Sequence, residues 1–240
     1  MKMKPSQKSG RREPLFRPAE LCLWLFSLAA VTLSFFLSQE KEIFTLAATL
    51  IGVTALIFVA KGEPVGQVLT VVFAVLYSIS SYHFAYYGEM ITYLGMTAPI
   101  AALAAISWYR HPYEKGRREV TVAHLTARDW LLLILLAALV TALFFFVLRA
   151  LGTANLPIGT ISVTTSFFAV ALTYLRSPLY GLAYGANDLV LVVLWTVTAI
   201  DSPSEWTMVV CFVIFFVNDV YGFFNWRKMK KKQEKGRPPT

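Results

Sequence analysis

Phe216-Val217-Asn218-Asp219-Val220-Tyr221-Gly222-Phe223-Phe224-Asn225-Trp226 is an apolar stretch that carries two Asn, one Asp, one Tyr and one Trp. With the apolar residues before it, the stretch fills a segment of about 20 residues, enough to cross roughly 30 Å of hydrocarbon as a helix. A polar group in hydrocarbon costs kilocalories unless it has a partner or lines a cavity. The cluster is therefore either a helix-packing device or a site for a polar ligand. Asn218, Tyr221 and Asn225 follow i, i+3, i+7 spacing and share one face. Asp219 points about 100° away and shares its stripe with Trp226.

The rest of the chain fits that environment. Of its 240 residues 57% are hydrophobic and only 15% charged, with a mean hydropathy of +0.58, outside the range of soluble domains. Apolar stretches predict helices over 20–38, 44–60, 66–84, 90–108, 130–150, 159–176, 178–200 and 206–226. The fold class expected is an all-α polytopic membrane protein with about eight transmembrane helices, spanning 20–226 between basic tails at 1–19 and 227–240. The first helix follows a basic tail and lacks a small-residue cleavage site, so it reads as an anchor rather than a signal peptide. Eight spans put both tails, the 109–129 loop, Lys61 and Arg176 on one side, and with them every one of the 22 Lys and Arg except Lys41 and Arg149. By the positive-inside rule that side is the cytoplasm. The net charge of +8 then reads as topogenic, Arg227–Lys232 included, ahead of the alternative that this run contacts anionic lipid headgroups of the bilayer, and nucleic acid is not required. Cys22 and Cys211 fall near opposite membrane faces, too far apart for a disulfide.

A weak internal repeat organises the spans. Trp108 and Trp226 both end a helix on the basic side, 118 residues apart, and the same offset pairs Tyr77 with Trp195. A similar turn precedes each pair, Lys61-Gly-Glu-Pro-Val-Gly66 and Arg176-Ser-Pro-Leu-Tyr-Gly181. Two parallel three-helix bundles follow, one over about 44–108 and one over about 159–226. The featureless 130–150 helix links them, and the N-terminal helix is an addition. Repeats of this kind commonly put a substrate pathway at their interface.

The polar residues inside the spans are the candidate site. Asn187 and Asp188 fall near the bilayer midplane, and Trp195 lies two turns beyond Asp188 on the same face. A single Asn reads as helix–helix glue. Two Asn-Asp pairs, each with an aromatic at helical spacing, favour a ligand or pathway role. Thr160-Ile-Ser162-Val-Thr164-Thr165-Ser166 opens another span; its hydroxyls suit either the preceding turn's carbonyls or a polyol. Tyr77, Tyr86 and Tyr87 read as aromatic belt or pathway, Glu89 as a solvated carboxylate at the outer mouth, and His83 as weak support for proton coupling. Pro99 predicts a kink. The sequence contains no phosphate-cradling Gly-x-x-x-x-Gly-Lys-Ser/Thr loop, no His-Glu-x-x-His and no Cys/His metal set, which excludes an ATP-driven pump and gives no support to a metalloenzyme. No cofactor, no metal and no catalytic residue is expected.

Thr164-Thr-Ser-Phe-Phe-Ala169, Ala186-Asn-Asp-Leu-Val-Leu-Val-Val-Leu-Trp195, Val217–Trp226, Tyr77, Tyr86-Tyr-Gly-Glu-Met90, Pro99 and Trp108 together resemble the PnuC family of bacterial nicotinamide riboside transporters. The resemblance implies a fold like that of SWEET sugar transporters, a site between the bundles, and facilitated diffusion across a bacterial cell membrane. It also implies dependence on a cytoplasmic kinase that traps the nucleoside for pyridine nucleotide biosynthesis. Asn187, Asp188, Trp195, Asn218, Tyr221, Tyr77, Tyr184 and Thr165 are the expected substrate-binding residues, with Tyr180 a further aromatic candidate. A flat cationic pyridinium suits the aromatics and a ribose suits the amides and carboxylates. A thiamine or riboflavin permease and an embedded membrane enzyme stay open as alternatives, as does assembly into a homo-oligomer.

Overall fold

The structure, a computed structural model, describes residues 16–38, 43–83, 86–114, 118–153, 155–201 and 206–235. Readings that concern residues 1–15, Lys41, Lys115, Arg117, Arg237 and the side chain of His83 lie outside the described residues.

Among the described residues eight helices are long and apolar enough to cross a membrane. They are α1 (Pro18–Leu37), α2 (Ile43–Ala60), α3 (Pro64–His83), α4 (Tyr87–Arg110), α5 (Ala127–Ala150), α6 (Leu156–Tyr174), α7 (Tyr180–Asp201) and α8 (Trp206–Lys235). Most boundaries lie one to three residues from the sequence reading and the end of α8 lies nine beyond it; two of these shifts have a visible cause. α5 starts earlier, at a capping box in which Asp129 accepts from the Thr126 backbone at 2.8 Å and Thr126 Oγ1 accepts from the Asp129 backbone at 3.3 Å. α8 runs past Trp226 to Lys235, so most of the expected basic tail is helical. Lys, Arg, Met and Gln are good helix formers and no Gly or Pro interrupts them before residue 236. The kink expected at Pro99 is a π-helical turn over Tyr93–Thr97, placed where Pro99 supplies no N–H to the ladder.

Six of the helices close into a ring. α2 packs on α3, α3 on α4, α4 on α6, α6 on α7, α7 on α8, and α8 returns to α2. α5 lies outside on α6, with Leu133, Ala137 and Leu148 its only fully buried side chains. α1 lies outside on α2 and α8 and turns Glu20, Ser27, Val31 and Phe35 inward. Small residues set the spacing, as expected where lipid is as apolar as the core. A Cβ at Gly181 of α7 would stand 2.7 Å from the Asp219 carbonyl of α8.

The residues paired by the 118-residue offset touch each other. Trp195 Nε1 donates to the Tyr77 hydroxyl at 3.2 Å, and the rings of Trp108 and Trp226 lie 5.2 Å apart. The two contacts lie at opposite ends of the ring. The two similar turns hold their second and first residues, Gly62 and Arg176, at φ 69° and 56°. Val120 N donates to the Gly62 carbonyl and Ala123 N to the Arg176 carbonyl, each at 3.0 Å. The 118–123 strand of loop thus straps both turns together, and Gln233 of α8 clips it through Val122 N at 2.8 Å and the Val120 carbonyl at 3.0 Å.

Candidate functional site: a cavity on the ring axis

A cavity inside the ring is lined by residues of α2, α3, α4, α7 and α8. Phe73, Tyr93, Tyr184 and Phe215 form its aromatic wall, and Gln67, Thr70, Thr97, Asn187, Asp188 and Asp219 its polar wall. None of its lining residues is Lys, Arg or His.

Asn187 is oriented from behind. Its Oδ1 lies 2.8 Å from the hydroxyls of both Thr165 and Ser166 on α6, which leaves the Nδ2 hydrogens for the cavity. The acceptor side is met by α6, so this amide meets a ligand as a donor. Asp188 and Asp219 hydrogen-bond each other between α7 and α8, so the pair shares a proton, and each keeps a buried Oδ2 with no protein partner. Gln67 Oε1 and Thr97 Oγ1 are likewise buried and unpartnered. Native interiors rarely leave such atoms unmatched, so four of them around one cavity point to a polar occupant.

Roof and floor are aromatic. Above, Tyr77 stacks on Phe73 at 5.6 Å and meets Tyr93 edge-on at 4.5 Å, while Trp195 meets Tyr86 at 4.8 Å. Below, Tyr180 packs on Trp226 at 5.0 Å, Trp226 Nε1 donates to the Val59 carbonyl at 2.8 Å, and Trp108 Nε1 to the Thr173 carbonyl at 3.0 Å. The enclosed volume is about 40 Å³. That holds water molecules but not a nucleoside, so the ring must widen to admit one.

The expected site residues divide into three groups. Tyr184, Asn187 and Asp188 line the cavity, and Thr165 stands directly behind Asn187. Tyr77 and Trp195 form the roof, and Tyr180 belongs to the floor. Asn218 and Tyr221 are not brought to the cavity. Asn218 Nδ2 donates to Ser27 Oγ at 3.0 Å and the Tyr221 hydroxyl to Glu20 at 3.3 Å, so this face of α8 holds α1. Asp219, one position on, turns the other way and lines the cavity. Glu89 is corrected too: it is 5% exposed and accepts from Ser162 Oγ at 3.2 Å, not solvated at a mouth. Sequence reasoning missed Gln67, Thr70 and Thr97. A signal was present, since Gln67 and Thr70 sit at i, i+3 in the otherwise apolar first half of α3.

A family model described as nicotinamide mononucleotide transporter matches residues 42–228. A Neisseria mucosa protein named nicotinamide riboside transporter PnuC is 25% identical over 214 residues, covering 88% of this chain and 81% of that protein. A Haemophilus influenzae protein of the same name is 22% identical over 218 residues, covering 90% and 93%. A crystal structure of the vitamin B3 transporter PnuC matches the fold with a TM-score of 0.79 at 24% identity, covering 91% of this chain and 94% of that one.

Proposed function

This chain belongs to the nicotinamide mononucleotide transporter family, and from that membership and the chemistry of its cavity we propose that it carries nicotinamide riboside, the unphosphorylated nucleoside. The chain is a multi-pass membrane transporter. The observation that carries the substrate reading is the facing pair Asp188 and Asp219, each with a free buried oxygen, in a lining without a cation. A fixed pyridinium charge finds its counter-charge there and stacks on Tyr93 or Tyr184. The Nδ2 of Asn187 and the free oxygens of Gln67 and Thr97 offer hydrogen bonds to ribose hydroxyls or a carboxamide. A phosphate would find no cation, and at ~6 Å from a carboxylate it would be opposed by about 3 kcal/mol per charge pair at an effective dielectric near 20.

In this reading the protein sits in a bacterial cell membrane with both termini in the cytoplasm, supported by the distribution of its basic residues. Transport is facilitated diffusion, because the unpartnered oxygens at the cavity, those of Asp188, Asp219, Gln67 and Thr97, are all taken by the substrate and none is left to hold a coupling ion. A cytoplasmic kinase makes uptake irreversible by phosphorylating the nucleoside. A thermal-shift comparison of the purified protein with nicotinamide riboside, its mononucleotide, thiamine and riboflavin tests the assignment. Ligand at a hundredfold excess over Kd stabilises by about 2.7 kcal/mol. The riboside should raise Tm and the mononucleotide should not; the opposite order overturns the assignment.

A further inference from the structure

A ring whose cavity is smaller than its cargo has to part somewhere, and the two seams between its halves are built differently. The first half is α2, α3 and α4; the second is α6, α7 and α8. They meet along α8–α2 and along α4–α6.

The α8–α2 seam is bonded directly and braced from outside. Asn225 Nδ2 donates to the Ala60 carbonyl and Trp226 Nε1 to the Val59 carbonyl, each at 2.8 Å. α1 then bridges the two helices: Trp24 Nε1 reaches Thr54 of α2 at 3.2 Å, while Ser27 and Glu20 hold Asn218 and Tyr221 of α8. Parting this seam would expose several donors and acceptors to hydrocarbon together, each at the cost of an unmade hydrogen bond.

The α4–α6 seam is bonded only at its ends among the described residues. At the outer end Ser162 Oγ donates to Glu89, whose other oxygen is buried without a partner. At the inner end Trp108 Nε1 donates to the Thr173 carbonyl, and the strap at 118–123 joins Gly62 of one half to Arg176 of the other. Between these ends Met96 of α4 and Phe167 and Leu172 of α6 belong to one buried apolar cluster, while Tyr93 and the unpartnered Thr97 of α4 turn to the cavity. Glu89 is held by a single hydroxyl, so water entering an opened outer end would replace what is lost there.

We propose that the α4–α6 seam is the moving one: α1 keeps α8–α2 closed as the hinge, Glu89–Ser162 is the outer clasp, and Trp108–Thr173 with the 118–123 strap is the inner clasp. The clasps open alternately, each exposing the cavity to one side. This rests on the transport reading above, and it assigns α1, which no repeat needs, the task of deciding which seam yields.

Cross-linking tests it in a background of Cys22→Ser and Cys211→Ala, the two free cysteines. A Cβ at Gly88 of α4 would stand 3.4 Å from Thr153 Oγ1, beside the outer end of α6, so Gly88→Cys/Thr153→Cys is placed to form a disulfide across the moving seam. Ser34→Cys/Thr207→Cys joins α1 to α8, where Thr207 Oγ1 lies 3.5 Å from the Ser34 carbonyl. Oxidation of the first pair should lower nicotinamide riboside uptake at least tenfold, reversibly on reduction, and oxidation of the second should change it less than twofold. Full uptake with the first pair cross-linked, or a reversible loss with the second, overturns the proposal. Spin-label distances read the seam without reference to uptake. Labels across the outer ends of α4 and α6 should show two populations, and labels across α1 and α8 one. A single α4–α6 distance overturns the seam assignment even in a chain that transports, and two distances in a chain that takes up no riboside count against the substrate alone.

Discussion

Asn218 and Asp219 are neighbours in sequence with opposite tasks, and the residue scale turns on telling them apart. Asn218 donates to Ser27 and the Ile214 carbonyl on the side of α1, whereas Asp219 lines the cavity. Asn218→Leu should therefore lower thermal stability by about 1–2 kcal/mol through the orphaned Ser27 hydroxyl, with riboside affinity unchanged by calorimetry. Asp188→Asn and Asp219→Asn should do the reverse. The two carboxyls hydrogen-bond each other and so share a proton. Each substitution keeps the side chain's shape but removes one member of the pair that supplies the counter-charge to the pyridinium, and Kd should rise about 10- to 100-fold, equivalent to about 1.4–2.8 kcal/mol. Asn187→Leu should abolish measurable binding in a folded protein, because it deletes the donor that Thr165 and Ser166 hold in place. Sequence separated the two faces of α8 correctly by helical angle. It could not say which face met the cavity, because both carry an amide or carboxylate and an aromatic, and only the position of α1 decides.

At the scale of elements, the eight spans were legible because bilayer thickness imposes a length and an apolar composition on each of them. Two features were not. The extension of α8 to Lys235 is too polar for a span and is fixed by Gln233 gripping the 118–123 strap, a contact more than 100 residues away in sequence. Gln233→Ala removes that grip. Amide exchange at Val122, which donates to Gln233, should rise about tenfold for a loss near 1.4 kcal/mol, while amides in the membrane helices keep their protection. The close approach of α7 to α8 was equally hidden in a single glycine. Gly181→Ala would press a Cβ against the Asp219 and Phe223 backbones and should destabilise the protein by about 1–3 kcal/mol in a denaturation series. An unchanged midpoint would mean that the two helices slide freely there.

For the whole molecule, the 118-residue offset proved the most far-reaching sequence signal, since the residues it pairs are in contact at both ends of the ring. Two parallel three-helix bundles, with α5 as linker and α1 as brace, remain the proposal that this offset suggests. Cysteines placed at Lys2 and Lys235 should stay unlabelled by an impermeant reagent in intact cells if both termini are cytoplasmic. Uptake by sealed vesicles containing this chain alone tests the central claim most directly. Labelled nicotinamide riboside should enter empty vesicles only to equilibrium, and should accumulate beyond it when a nucleoside kinase and ATP are enclosed. Nicotinamide mononucleotide should not enter at a comparable rate. Entry of the mononucleotide as fast as the riboside, or concentration of the riboside in empty vesicles under an imposed proton or sodium gradient, would contradict the account.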